Sequence, residues 1–327
     1  MIIDFIKCHG SSNDFIMIDE MTKEYNFTEV QRVELSKAFC NRESELGADG
    51  ILFLSKSNVA HAKYRMFNPD GSEAEMCGNG LRCAARFIID QLGEDTVKIE
   101  TMRAILEVQK VKDIFEGIET YQVEISPVSF DLNSLPMVLD NKVELREEKI
   151  DAISSDLTFT SLSVPNPHIV TIVDEFNEAY FKEVAEKANS NKEVFPKGVN
   201  VSFVKPLENS SIFVLTYERG VGFTNACGTA MSASSLVTCV IGINNINDVI
   251  NVYNKGGMVQ CVVNNKDNGE FIIHLIGNAT YTFTAKVEMN FETPIGFTLQ
   301  EKTVLQVEID KYEKLVEFAK TQVKSNI

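Results

Sequence analysis

Two short turns hold the side chains of this 327-residue chain best suited to chemistry: Met76-Cys77-Gly78-Asn79-Gly80 and, about 150 residues later, Ala226-Cys227-Gly228-Thr229-Ala230. In each, a cysteine stands directly before a glycine and a small polar residue. An apolar run of helical length follows, Leu81 to Leu92 in the first case and Met231 to Ile241 in the second. Both sulfurs are therefore expected at helix N-termini, where unpaired N–H groups and the positive end of the helix dipole favour an anion. A free cysteine titrates near ~8.5, and a helix start or cationic neighbour brings it to roughly 3.5 to 7.5. Each thiol is thus expected to be partly ionised and usable as a base near neutral pH. The same N–H groups can hold a carboxylate without a charged side chain. One such turn would suit a nucleophile or a redox thiol, and either cysteine alone reads equally as a buried inert thiol. Two matched turns suggest a site with two sides.

The elements that must position these turns repeat. Ile2 to Ile18 reads as two strands around the turn cluster His9 to Asp14, Thr28 to Phe39 as a helix, and Ile51 to Leu54 and Tyr64 to Phe67 as strands, with a turn at Asn68-Pro69-Asp70-Gly71 just before the first cysteine. Val97 to Ile125 reads as further strands. The second half follows the same plan: strands at Phe159 to Val164 and Ile169 to Val173, a helix at Phe181 to Ala188, strands at Val199 to Val204 and Ile212 to Tyr217, the second cysteine turn, its helix, and a β-rich meander from Val249 to Val287. The expected fold is α+β: two pseudo-symmetric lobes, each a curved, mostly antiparallel sheet around a central helix, with the active site in the cleft between them. The expected divisions are an N-terminal lobe over 1–126 with a returning strand at about 283–295, a C-terminal lobe over 127–282, and an extension over 296–327. Leu305, Ile309, Tyr312, Val316, Ala319 and Val323 follow helical spacing, so the extension is expected to end in an amphipathic helix packed on its own lobe or a sister subunit. Ser126 to Ile153, with the charge run Glu144 to Lys149, reads as a solvated connection.

Composition narrows the partners. With 44% hydrophobic and 24% charged residues, the chain reads as soluble and globular, large enough to bury an enzyme-sized core. A net charge of -16 argues against nucleic acid or an anionic membrane and leaves small molecules. The N-terminus has no signal-peptide pattern and no stretch has membrane-spanning length, so a cytoplasmic location is expected. The seven cysteines, at positions 8, 40, 77, 83, 227, 239 and 261, are odd in number and form no CxxC pair, which fits neither a disulfide framework nor a zinc site. Cys8, Cys40, Cys83, Cys239, Cys261 and His274 read as core.

Eight motifs occur in a telling order: His9-Gly10-Ser11-Ser12-Asn13-Asp14-Phe15, Gly47-Ala48-Asp49-Gly50, Phe67-Asn68-Pro69-Asp70-Gly71-Ser72, Met76 to Gly80, Pro165-Asn166-Pro167-His168, Asn200-Val201-Ser202-Phe203, Glu218-Arg219-Gly220 and Ala226 to Thr229. From about residue 5 to 285 the chain resembles the diaminopimelate epimerases, which interconvert the LL and meso forms of diaminopimelate without a cofactor, in lysine and cell-wall synthesis. The resemblance implies that Cys77 and Cys227 exchange the roles of base and acid on opposite faces of the α-carbon, which agrees with the need of such an inversion for a base on one side and an acid on the other. It also implies that the N–H groups of Gly78, Asn79, Gly228 and Thr229 grip the reacting carboxylate. Asn68, Asn166, Asn200 and Arg219 are then expected to hold the distal end, with Glu218 near the amino groups and Asn13 on the proximal side. Asn68 and Asn166 could equally be turn residues beside proline, Asn200 a strand cap, and His168 either an orienting group or core. No cofactor or metal is expected, and a homodimer is.

The chain departs from the family pattern at Gly222-Phe223-Thr224, where Gly-Glu-Thr is usual, and at Ala230, where glycine is common. Loss of a negative charge at Phe223 should favour the Cys227 thiolate. Leu132 to Ile153 and the tail beyond about 295 exceed a compact member and read as surface additions. An epimerase or racemase for another amino acid, and a non-catalytic amino-acid-binding or thiol redox protein, are the alternative functions.

Overall fold

A computed structural model of the chain describes residues 1–74, 77–139, 142–266, 269–292 and 296–324. Met76 of the first cysteine turn and the end of the expected returning strand, 293–295, lie outside the described residues. In chain order come β1 (Ile2–Gly10), β2 (Asn13–Glu20), α1 (Glu29–Cys40), β3 (Gly50–Ser55), β4 (Ala62–Phe67), β5 (Glu73–Ala74), α2 (Gly78–Leu92), β6 (Thr96–Glu100), β7 (Ile105–Val111) and β8 (Thr120–Ile125). A 3-10 turn at Leu132–Ser134 leads to β9 (Glu148–Ile150), β10 (Ser154–Ser163), β11 (Pro167–Ile172), α3 (Glu178–Ser190), β12 (Asn200–Leu207), β13 (Ser211–Glu218), β14 (Gly222–Thr224), α4 (Gly228–Val240), β15 (Val249–Asn254) and β16 (Gly257–Asn265). The chain ends with β17 (Phe271–Asn278), β18 (Thr280–Asn290), β19 (Gly296–Val304) and α5 (Gln306–Lys324). The fold is mixed α/β and mostly sheet, with five α-helices among the described residues.

Contacts divide the chain into two compact units: Met1–Val123 with Ile276–Leu315, and Glu124–Leu275 with Val316–Ile327. In the first, β1 pairs antiparallel with β2, β2 parallel with β3, β3 antiparallel with β4, β4 parallel with β6, and β6 antiparallel with β7. In the second, β10 to β11, β11 to β12, β12 to β13, β13 to β15 and β15 to β16 repeat that series of senses. Each parallel step requires a crossover, and helices supply all four: α1 and α2 in one unit, α3 and α4 in the other. A two- or three-residue strand folds back on the hairpin just before each cysteine, β5 on β4 and β14 on β13.

The second helix of each unit is its centre. Eleven of the fifteen residues of α2 are buried, as are eleven of the thirteen of α4. Three hydroxyls inside α4 are satisfied locally, Ser232 donating to the Gly228 carbonyl, Ser235 to that of Met231 and Thr238 to that of Ser235, while Ser234 Oγ has no partner among the described residues. In α1, Thr28 and Gln31 form a capping box, which sets its start one residue after the expected one.

Two expectations need correction. The stretch from Leu132 to Ile153 is not a surface addition: Leu132, Leu135, Met137, Leu145, Ile150 and Ile153 enter the apolar core of the second unit, beside Phe181, Val184 and Phe203. Its charge run alternates about Leu145, which is fully buried, so polar composition concealed a sparse inward-facing set. Second, the tail is more than a helix, because Gly296–Val304 pairs antiparallel with β18 before α5 begins. His274 is only half-buried, with Nδ1 3.0 Å from Asn264 Oδ1.

If Leu132 to Ile153 is core, Leu145→Ala should lower stability by about 2–5 kcal/mol, read as a lower urea midpoint at constant slope. Val143→Ala, at a side chain 73% exposed, should change it by less than ~0.5 kcal/mol. Equal effects from the two would place the segment outside the core.

Candidate active site

The sequence places a thiol at each helix start, and the backbone does the same. Cys77 caps α2 with φ -142° and ψ 105°, and Cys227 caps α4 with φ -127° and ψ 112°. Both are extended residues on which a helix begins one residue later, and the two turns share one local conformation.

In the first unit, Cys77 Sγ lies 3.8 Å from Asn13 Oδ1, which also accepts from Asn79 Nδ2 at 3.2 Å. Asn13 donates in turn to Asp49 Oδ2 at 2.8 Å. Asp49 and Asp14 share Arg42, and Lys7 lies 2.6 Å from Asp14. Burial raises the Asp14 pKa, but Arg42 and Lys7 outweigh it and hold the carboxyl below its ordinary value. Asn79 Oδ1 accepts from Arg82, a fully buried guanidinium that also reaches Ser11 Oγ and the Asn278 carbonyl. The cradle around Arg82 depends on two glycines: a Cβ at Gly10 would stand 2.9 Å from the guanidinium, and one at Gly277 would stand 3.0 Å from it. Asn68 is the exception among the expected residues. Its side chain donates to Ser72 at 3.0 Å within its own turn, and no hydrogen bond among the described residues joins it to the Cys77 set.

In the second unit the expected residues come together. Parallel pairing sets His168 opposite Asn200. His168 Nε2 lies 2.9 Å from Asn166 Oδ1, 3.1 Å from Thr229 Oγ1 and 3.4 Å from Asn200 Nδ2. Thr229 Oγ1 stands 3.4 Å from Cys227 Sγ. Asn200 Oδ1 accepts the Arg219 backbone N–H at 3.0 Å, fixing the hairpin tip that carries Glu218 and Arg219. The Arg219 guanidinium is exposed and donates to the Lys197 carbonyl at 3.3 Å. Glu218 accepts from Thr224 Oγ1 and lies beside Cys227. His168 is thus an orienting group as well as a buried one; its Nδ1 has no partner among the described residues.

Electrostatics overturns the expected thiolates. Burial pushes Cys77 up to about 11, against the pull of the Gly80 and Asn79 amides and the Arg82 charge. Cys227 is driven well above its ordinary value by burial first and then by the Glu218 carboxylate. The charge lost at Phe223 therefore does not leave Cys227 ionised, because Glu218 supplies one. The Phe223 ring instead packs edge-on against Tyr217, with centroids 5.4 Å apart. Asp49, in the Gly47 to Gly50 turn, is not among the residues the sequence marks out for the site. Arg82 sits within an otherwise apolar run and carries no signal of its own in the sequence.

This mixed α/β fold is shared with a Bacillus anthracis phenazine biosynthesis protein of the PhzF family, 15% identical with a TM-score of 0.65, over 88% of this chain and 99% of that one. A sequence profile described as diaminopimelate epimerase matches residues 5–123 and 160–282. A diaminopimelate epimerase of Clostridium acetobutylicum is 42% identical over 322 residues, 98% of this chain and 96% of its own. One of Listeria innocua is 43% identical over 329 residues, 99% and 98%. The chain belongs to the diaminopimelate epimerase family, and so to the isomerases.

Burial also keeps His168 neutral, lowering its pKa to about 3 with help from Arg219, and lowers His9 to about 4. Below their unfolded value of ~6.5 the unfolded chain binds protons that the folded one does not, so stability present above pH ~6.5 is lost as pH falls toward the folded values. Between pH 6 and 4, His168→Gln should flatten the dependence of unfolding free energy on pH by about one proton, ~1.36 kcal/mol per pH unit. An unchanged slope would mean that His168 titrates normally.

Proposed function

We propose that the protein interconverts LL- and meso-2,6-diaminopimelate by two-base proton transfer, without a cofactor. One thiolate removes the α-proton while the other thiol delivers a proton to the opposite face, and Cys77 and Cys227 exchange roles with direction. The observation that carries this reading is the matched pair of turns, each holding a thiol at the start of a buried helix with the same backbone conformation. Family membership supports the substrate.

The remaining roles follow from chemistry. Amides at Gly78, Asn79, Gly228 and Thr229 are placed by the helix starts to receive the reacting carboxylate and the charge that spreads onto it as the proton leaves. Preorganised donors of this kind are each worth about 2.7–4 kcal/mol in other enzymes. Arg219, exposed on its hairpin tip, suits a bidentate contact to the distal carboxylate. Asn13, Asn68, Asn166 and Asn200 supply neutral contacts, and His168 orients Asn166 and Thr229. Because both thiols are protonated at rest, the cycle starts only when one loses its proton. Beside Cys227, Glu218 is the group able to take it. The net charge of -16 favours a small zwitterionic substrate over nucleic acid or an anionic membrane. A homodimer in the cytoplasm completes the reading.

The test is epimerisation of LL-diaminopimelate in heavy water. At low conversion the product should carry deuterium at the inverted carbon while recovered substrate carries none. Equal label in both would eliminate the two-base route, and exchange seen only with another amino acid would move the protein to a different substrate. Cys77→Ser and Cys227→Ser should each lower kcat by about 10²–10⁴-fold. A variant that keeps wild-type turnover would remove that cysteine from the chemistry.

A further inference from the structure

The helix α5 lies beyond the residues matched by the family profile, yet it contacts both structures that set the surroundings of Cys77. The first is the β1–β2 hairpin turn. Its two central residues, Ser11 and Ser12, have φ of 55° and 66°, and Gly10 pairs with Asn13 across them. A two-residue hairpin with positive φ at both positions normally takes Asn-Gly or Gly-Gly, so Ser-Ser is held there against its preference. Tyr312 of α5 supplies part of the hold. Its hydroxyl is 3.3 Å from Ser12 Oγ, and its ring meets His9 edge-on at 4.3 Å between centroids. The Ser12 amide donates to His9 Nδ1 at 3.3 Å, so the tyrosine braces both ends of one short bond across the turn. Asn13, whose Oδ1 faces the Cys77 sulfur, is the next residue.

The second contact is with α2 itself. Glu308 accepts from both terminal nitrogens of Arg86, at 2.6 and 2.8 Å, and from the Tyr281 amide at 2.9 Å. Arg86 also donates to the Ala279 carbonyl at 2.7 Å and lies over the Tyr281 ring at 3.9 Å. Cys77 caps the helix that this arginine anchors.

We propose that Tyr312 and Glu308 of the C-terminal helix are positioning residues for Cys77, which hold the strained Ser11-Ser12 turn and α2 so that Asn13 Oδ1 stays on the sulfur. The inference rests on Cys77 being one of the two acid/base thiols. A small displacement suffices to matter, since misplacement by about 1 Å can cost an enzyme about 10²-fold in rate.

Tyr312→Phe, which keeps the ring and removes the hydroxyl, and Glu308→Gln would be compared with wild type and with Glu313→Ala on the exposed face of α5, all in the full chain. Two quantities would be read: kcat and KM for diaminopimelate, and the alkylation rate of each cysteine by iodoacetamide against pH, resolved by peptide mass spectrometry. We expect Tyr312→Phe to lower kcat roughly tenfold with KM held within about twofold. Its Cys77 alkylation rate should change by about threefold or more while that of Cys227 stays at the wild-type value. Glu308→Gln should act in the same direction and Glu313→Ala should change neither quantity. Unchanged Cys77 alkylation and kcat in both variants would overturn the proposal, as would parallel changes at Cys77 and Cys227 with a lower melting temperature, the mark of general loosening. If the wild-type protein epimerises nothing, the functional reading falls, and the contrast between Cys77 and Cys227 alkylation still decides whether α5 positions Cys77.

Discussion

A thiol at the first turn of a buried helix is pulled two ways, and most of this structure bears on that contest. Backbone N–H groups and the helix dipole favour the anion, while removal from water favours the neutral form. In both units burial prevails, for Cys77 against two amides and the Arg82 charge, and for Cys227 with the added repulsion of Glu218. Neutral thiols also suit folding. A buried thiolate would cost far more to desolvate than a thiol, and each helix that begins at one of these cysteines is mostly buried.

The repeated strand order explains how two such environments arise in one chain. In each unit the expected site residues come from corresponding places: the start of the second strand supplies Asn13 and Asn166, and the hairpin leading to the cysteine carries Asn68 and Arg219, whose side chains bond elsewhere. The approach to the third strand supplies Asp49 and Asn200. The copies then diverge in their contacts. One cysteine faces an asparagine tied to an acidic and basic network, and the other faces a threonine tied to a neutral histidine. A common scaffold thus surrounds its two thiols with different charges.

Much of this could be read from the sequence because the signals are local. Glycine after cysteine, a long apolar run and flanking turn residues mark α2 and α4, and alternation marks most strands. What stayed hidden is non-local. Strand β19 has every second residue on a polar, largely exposed edge and becomes a strand only by pairing with β18. Leu145 is one apolar residue inside a charge run, and only its burial reveals a core position. The thiol charge state depends on how much water the whole fold removes, which no motif encodes. Arg86 and Glu308 carry no motif and Tyr312 reads only as part of an amphipathic stripe, and their meaning comes from partners as much as 300 positions away.

The two hidden determinants, the neutral thiols and the buried arginines, belong together. Arg82 lies on the helix that Cys77 caps and lowers its pKa, and its hydrogen bonds among the described residues include Asn79, Ser11 and backbone carbonyls. It acts on the cysteine as a fixed positive potential that costs no rearrangement when charge appears. An anion at Cys77 would meet the Gly80 and Asn79 amides and this guanidinium already in place. The Cys77 thiol stays neutral because the cost of burial exceeds their pull, but the margin is smaller than burial alone would set. A cation brought close to the sulfur would need to supply only that remainder. Charge can thus form at this sulfur without being stored in the folded chain beforehand.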